Sequence, residues 1–562
     1  MATYHVAPKG TVTGANNGGS GNDAWNGLKK LATSIGGSTV PGDTIIFDGD
    51  KGPFGFADNA DFAYTGALTG AFTYAAGSSG PLIGSSALSG STASGRIFQF
   101  GSSAGQAVVD MHRSDGNHIA SERMYAALYI QGEGMTILNP KVIAPNFNYL
   151  KAVDGPNSQA ESISTENYGL RVSGNGNTID TAELHGYADT QGFCRAALTL
   201  AHQLSGTAGL TSRISNIKTR GAHFGVDVTI QGGSTQYSGQ FFATDIDSDK
   251  CSWGSTAELG FVTGNAGTHG GHVSLSGNWR YAVVDRLRGR GVCQDGIDLI
   301  GVNCQLRNSD LRGMYAPGVM SWIWDVPTSK WVWGYTAGVT GNGVKMGYVA
   351  SGTSPTTWRG PDGVVGGTYG TDENRNSCIG TTIEDCMFGI FSNTGNGLFV
   401  HGNEVYGAVY GGITMNSYPS RANYWVSNNY AQLAAGAAAT IDAAAGQFTT
   451  NAALILVNNI FDSSLTTGAY DIWWASLLAP MLKDKNLLVT GRVKQTQAYP
   501  TTGDIAPFDP GWVKEVGLPA GSPLIRAGRH NGYRTDRRGR QFWNPPSVGP
   551  FEYQLARPSR FT

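Results

Sequence analysis

Two aspartates occupy matching local contexts, Gly225-Val226-Asp227-Val228 and Gly296-Ile297-Asp298-Leu299. Each carboxylate lies between two apolar residues. In an extended strand alternate side chains face opposite ways, so each aspartate points away from the side on which its neighbours are buried. A pair of outward carboxylates suits glycosidic cleavage, in which one protonates the leaving oxygen and the other activates a water. Asp295, three residues before Asp298, is a third acid, although Asp-Gly is also a common turn pair. His223 precedes Asp227 by four residues and is a candidate proton carrier. Glu258 and Trp253 fall between Asp227 and Ser274, as a reserve acid and part of a groove wall. Both aspartates also fit solvated positions on a polar face, and that alternative stays open.

What would position these residues is a repeat. The order small, apolar, any, apolar recurs at Ala127-Leu128-Tyr129-Ile130, Gly169-Leu170-Arg171-Val172, Ala197-Leu198-Thr199-Leu200, His272-Val273-Ser274-Leu275 and Gly412-Ile413-Thr414-Met415. Arg171 to Thr199 and Thr199 to Asp227 are each 28 residues, and Ser274 to Asp298 is 24. Asp227 to Ser274 is 47, which reads as one coil carrying a long loop. One such unit cannot bury its apolar face alone and must stack on its neighbours. Stacking predicts parallel strands about 4.8 Å apart and an outward column of Tyr129, Arg171, Thr199, Asp227, Ser274 and Asp298, with Thr414 further along. Arg171 and Ser274 are then substrate-binding candidates. Asp227 and Asp298 would lie two coils apart, roughly 10 Å between Cα atoms, with carboxyl groups at about 6.5–9.5 Å, the range of inverting hydrolysis. An open α/β sheet would need amphipathic helices of about ten or more residues between strands. None is visible, and the Ala-rich stretch 431–447, the only helix-like segment, reads as an insertion or loop.

Composition agrees. The 562 residues are 14% charged, with 81 glycines, 40% hydrophobic residues and 10% aromatics. Charge is well below the usual ~25%, yet a core can be built. The net charge of −2 carries no basic run, which gives no reason to expect nucleic acid. No apolar run is long enough to span a bilayer. The N-terminus lacks the charged and apolar regions of a signal peptide, so action outside a cell implies another route, such as a virus particle. The six cysteines, among them Cys378 and Cys386, read as small buried hydrophobes, with a disulfide left open. No metal-ligand spacing stands out, and no cofactor is expected.

Two further features bear on a glycan. Arg171, Arg288, Arg290 and Arg312 could neutralise an acidic sugar for a lyase, or pair internally with Asp285 and Asp310. The stretch 321–335 alternates around a turn and reads as a hairpin with Trp322, Trp324, Trp331 and Trp333 on one face. Such a row would stack on sugar rings, or pack on the flank of the fold.

The opening, Tyr4-His5-Val6-Ala7-Pro8-Lys9-Gly10, Ala24-Trp25-Asn26-Gly27-Leu28 and Pro41-Gly42-Asp43-Thr44-Ile45-Ile46-Phe47, resembles pectate-lyase-like right-handed β-helix proteins. So does the end, Ser522-Pro523-Leu524-Ile525-Arg526-Ala527-Gly528, Asp536-Arg537-Arg538-Gly539-Arg540 and Val548-Gly549-Pro550-Phe551-Glu552-Tyr553. The resemblance implies an all-β, right-handed parallel β-helix: an N-terminal cap over 1–100, coils over 101–465 with a Trp-rich insertion at 314–377, and a C-terminal wrap over 466–562. Gln294-Asp295-Gly296-Ile297-Asp298 is similar to the acidic stretch of polygalacturonase-like β-helices, although their other signature motifs are not visible here. Three functions fit such a scaffold: a tailspike-type depolymerase of a bacterial surface polysaccharide, a lyase of uronate polymers, and a non-catalytic virion receptor-binding protein. The phage resemblance implies a homotrimer in a virion tail, or otherwise an extracellular protein.

Overall fold

The computed structural model describes residues 1–55, 82–83, 87–88, 93–103, 105–111, 123–124, 126–144, 168–186, 196–203, 211–222, 224–231, 238–249, 271–291, 295–301, 303–315, 318–325, 330–337, 341–347, 376–393, 398–415, 424–434, 437–443, 453–474, 481–495, 503–531, 534–538 and 540–552. They fall into two units, Met1–Gly277 with Arg288–Ile297 and Ala316–Thr340, and Asn278–Leu287 with Asp298–Tyr315 and Gly341–Thr562.

In the first unit the repeat becomes a parallel ladder. Ala126–Gln131, Tyr168–Ser173, Ala196–Gln203, Phe224–Gln231 and the start of Gly271–Arg290 pair in succession. Leu128, Leu170, Leu198, Val226 and Val273 form one inward row, and Ile130, Val172, Leu200, Val228 and Leu275 the next, all fully buried. A second ladder carries Ile45, Phe98, Ile137, Ile179 and Ile214 inward. Long strands such as Thr178–His185 turn a corner into a third sheet at one left-handed residue. Those corner residues are Asn139, Thr181, Asn216 and Asp245, with φ of 55°, 57°, 55° and 56°. Asn and Asp tolerate this conformation better than other side chains. Parallel strands joined within one sheet cross over right-handedly, and the fold is a right-handed parallel β-helix.

The first coil is capped by a helix, Leu28–Ser38, whose Leu28, Leu31 and Ile35 are buried. The expectation that no amphipathic helix is present is corrected here. The signal is the apolar spacing i, i+3, i+7, ended by Gly36-Gly37.

The second unit repeats the three-sheet plan. Asn342–Gly347, Phe388–Asn393, Gly411–Met415, Ala439–Ala443, Tyr470–Trp474 and Val493–Gln495 pair in parallel. Within the Ala-rich stretch, Tyr430–Leu433 and Ala439–Ala443 are strands rather than helix. In these strands Ala431, Ala439 and Ile441 are fully buried. Winding continues through Val493–Gln495, after which the chain wraps over the coils, burying Leu518, Leu524 and Val548 against Tyr430, Ile460 and Leu487.

Inside this unit runs a row of fully buried asparagines. Asn403 Nδ2 and N donate to Asn429 Oδ1, Asn429 likewise to Asn459, and Asn459 to Asn486. Each Nδ2 also donates to a backbone carbonyl, those of Cys378, Val400, Val426 and Leu456 in turn. The row ends where Asn486 donates to Asp504, whose other oxygen holds Lys483 Nζ at 3.2 Å. Replacing Asn429 with Ala strands two donors of Asn403. A loss of about 1–3 kcal/mol for each is expected, read as a lower denaturant midpoint; an unchanged midpoint would show the row is dispensable.

Candidate functional site

The outward column forms as spaced in the sequence. Tyr129, Arg171, Thr199, Asp227 and Ser274 occupy successive partner positions in the first unit. The column is not the wet face expected of it. Arg171 is 6% exposed, Thr199 1%, Asp227 3% and Ser274 6%. Polar groups out of water interact more strongly and need partners. The Arg171 guanidinium lies over the Tyr168 ring at 4.7 Å and the Tyr129 ring at 5.7 Å from the centroids, a cation–π seat that fixes its position. Asp295 has the strand parity of the inward Ile297 and is 2% exposed, so it starts from the other side of the strand from the column.

Asp298 belongs to the second unit. It is 5% exposed, and Lys345 Nζ donates to its Oδ2 at 3.3 Å. Lys345 heads a second column, with Phe391, Thr414, Asp442, Trp473 and Lys494 at successive partner positions. Phe391 and Trp473 are half-buried, and Lys494 Nζ sits 4.0 Å above the Trp473 ring. None of Lys345, Phe391, Asp442 or Trp473 was singled out from the sequence, yet Gly343-Val344-Lys345-Met346 repeats the small, apolar, any, apolar order.

Other candidates are placed as follows. His223, Glu258 and Trp253 lie outside the described residues. The hairpin forms from Gly318–Asp325 and Lys330–Ala337, and its register pairs Trp322 with Trp333 and Trp324 with Trp331. Arg312 pairs internally with Asp310 at 2.7 Å, Glu384 at 3.2 Å and Glu515 at 2.7 Å. Arg288 faces Asp247 at 4.0 Å, while Asp285 takes Arg286 at 2.7 Å. Cys378 and Cys386 are separate buried thiols and form no disulfide. Among the described residues no group of three or more metal-binding side chains assembles, and no helix is long and apolar enough to cross a membrane.

Two buried histidines of the first unit bear on acid stability, as does His401 of the second, which burial pushes down to about 4. Desolvation pushes His272 down to about 3, with Arg290 lowering it further against a hydrogen bond that the ring donates to the Gly291 backbone, which raises it. Burial pushes His202 down to about 4. Both are neutral near pH 7 and carry no proton traffic there. Their folded values lie below the usual 6.5, so the unfolded chain binds more protons in that window. Their stabilising contribution is complete above about pH 6.5 and falls as the pH drops toward 4 and then 3. Thermal unfolding followed over that range is expected to show a decline that His272→Gln flattens; identical pH profiles would refute the assignment.

No family model matches the chain, and no curated protein matches it. Solved structures resemble it in fold. Pectate lyase Pel9A is 12% identical, with 99% of this chain covering 97% of that one at a TM-score of 0.42. An alginate lyase from Paenibacillus sp. is 11% identical over 72% of this chain and 96% of that one, at 0.34. A mutant of the periplasmic alginate epimerase AlgG is 13% identical over 84% and 89%, at 0.34. The parallel β-helix itself stands on the strand registers described above.

Proposed function

We propose that this chain binds a long polysaccharide and cleaves it outside the cell, as a depolymerase of bacterial surface glycans. The observation that carries this reading is the first unit's column, in which a functional side chain recurs once per coil at one outward position. Coils rise by about 4.8 Å, similar to the length of a pyranose residue. A glycan lying along the axis would be in step with the coils, touching the column only at the 1–6% of Arg171, Thr199, Asp227 and Ser274 that stays exposed.

Hydrolysis needs a carboxylic acid that protonates the glycosidic oxygen and a carboxylate that takes a proton from the attacking water. Asp227 in the first unit and Asp298 in the second are separate carboxylate candidates for these roles. A second reading is favoured by Lys345. An ammonium lies 3.3 Å from Asp298, a group that the two-carboxylate hydrolysis does not call for. It suits elimination on a uronate instead. There a base removes the proton beside the sugar carboxylate, the carbon–oxygen bond to the leaving sugar breaks, a carbon–carbon double bond forms, and the leaving oxygen takes up a proton.

Incubation with a panel of capsular polysaccharides, O-antigens and uronate polymers separates these chemistries. New reducing ends without ultraviolet absorbance of an unsaturated uronate mark hydrolysis, and reducing ends with it mark elimination. If hydrolysis operates, Asp227→Asn is expected to lower the rate by about 10²–10⁴-fold while the polymer still binds. Binding to the panel with no new ends from any polymer would leave a non-catalytic receptor and sink the enzymatic reading.

A further inference from the structure

A cleft of about 500 Å3 in the second unit lies on a different sheet from Lys345 and its column. Its floor is Trp425, Ile455 and Leu482, at successive partner positions of three adjacent strands. Leu482 is 49% exposed, an unusual amount of open aliphatic surface for a strand residue. The opposite wall is the wrap segment Arg529, His530 and Asn531. That wall is fixed. Asn458 Oδ1 accepts from Arg529 N at 2.7 Å, Asn458 Nδ2 donates to Arg529 O at 2.7 Å, and Asn531 Nδ2 donates to Asn428 Oδ1 at 2.6 Å. Both coil asparagines are left-handed corner residues, with φ of 55° and 57°.

The charges lining the cleft are already compensated. Arg529 pairs with Asp484 at 2.6 Å, and Lys483 with Asp504 at 3.2 Å. A polyanion would meet the carboxylates of Asp484 and Asp504 together with the two cations, so no net positive charge draws it in. Hydroxyl groups need none, because a paired guanidinium and carboxylate still offer donors and acceptors to a neutral partner. An indole beside aliphatic side chains takes the C–H face of a pyranose. The volume falls within the range of small-molecule sites, about 300–1,000 Å3.

We infer that this cleft is a second glycan-binding site, selective for neutral sugar residues. It holds a polymer to the protein without taking part in cleavage. The inference stands on the cleft's own geometry, and it would survive if the chain proved to be a binder only.

The test is calorimetric titration of the full chain with cellohexaose, maltohexaose and laminarihexaose, and with hexagalacturonate as the anionic probe. At least one neutral hexasaccharide is expected to bind. Arg529→Ala and Leu482→Asp, both at exposed positions, are each expected to weaken it about tenfold with an unchanged unfolding midpoint. The inference is overturned if no neutral probe binds, if both variants bind like the parent, or if hexagalacturonate competes for the same site. It is also overturned if the parent sediments as an oligomer that Leu482→Asp dissociates, since the floor would then be covered by a second copy of the chain.

Discussion

Replacing Asp298 with Asn is expected to cut polysaccharide cleavage by about 10²–10⁴-fold while polymer binding persists. The amide keeps the shape of the side chain and loses both its charge and its capacity to accept a proton. Asp298 is 5% exposed and faces Lys345 at 3.3 Å, so the substitution also releases the ammonium. Lys345→Met then distinguishes the two chemistries. If elimination operates with Lys345 as base or as counter-ion to a uronate, Lys345→Met is the more damaging change. If hydrolysis operates, Asp298→Asn is. Initial rates of reducing-end release from the best polymer of the panel measure both. A parent-like rate for Asp298→Asn would remove this carboxylate from the chemistry.

The largest stability effect is expected where the wrap is fastened to the coils. Glu404 has no exposed surface. Its Oε2 accepts from Arg537 at 2.8 Å, and its Oε1 accepts from the Tyr406 hydroxyl and from Glu515 N. Next to it Trp512 stacks on Tyr430 at 4.9 Å and donates to the Tyr406 hydroxyl at 3.0 Å. Arg537→Ala leaves the carboxylate buried without its cation, at a cost of about 3–5 kcal/mol. The double variant Arg537→Ala with Glu404→Gln removes the stranded charge, and it is expected to recover part of that loss. Limited proteolysis of the wrap reports the outcome directly. Cleavage within 505–552 should accelerate strongly in Arg537→Ala and less in the double variant. Equal rates in all three proteins would show that the pair does not hold the wrap down.

How much of this was legible depended on range and period. The inward rows of Leu128, Leu170, Leu198, Val226 and Val273 were readable because the same small, apolar, any, apolar order recurred, twice at 28-residue steps, and the column of Arg171, Thr199 and Asp227 followed from it. Lys345 obeyed the same order but sat within the stretch 314–377, set apart for its tryptophans. The asparagine row was invisible because Asn-Asn pairs such as Asn428-Asn429 read as turn residues. Only the first of each pair turns the corner, although both are buried. The depth of the outward column was illegible as well, since burial depends on segments far from each strand in sequence. Arg537 and Glu404 are 133 residues apart, and no local pattern links them.

The asparagine row has an evolutionary consequence. Every rung presents the same acceptor to the coil before it and the same donors to the coil after it. Steps of 26, 30 and 27 residues are all accommodated. A duplicated coil inserted between Asn459 and Asn486 would inherit matching partners at both joins, so this half of the molecule can lengthen or shorten by whole turns. Asp504 cannot be copied in the same way. A carboxylate accepts without donating onward, so it acts as the terminator of a polymer whose monomer is one coil.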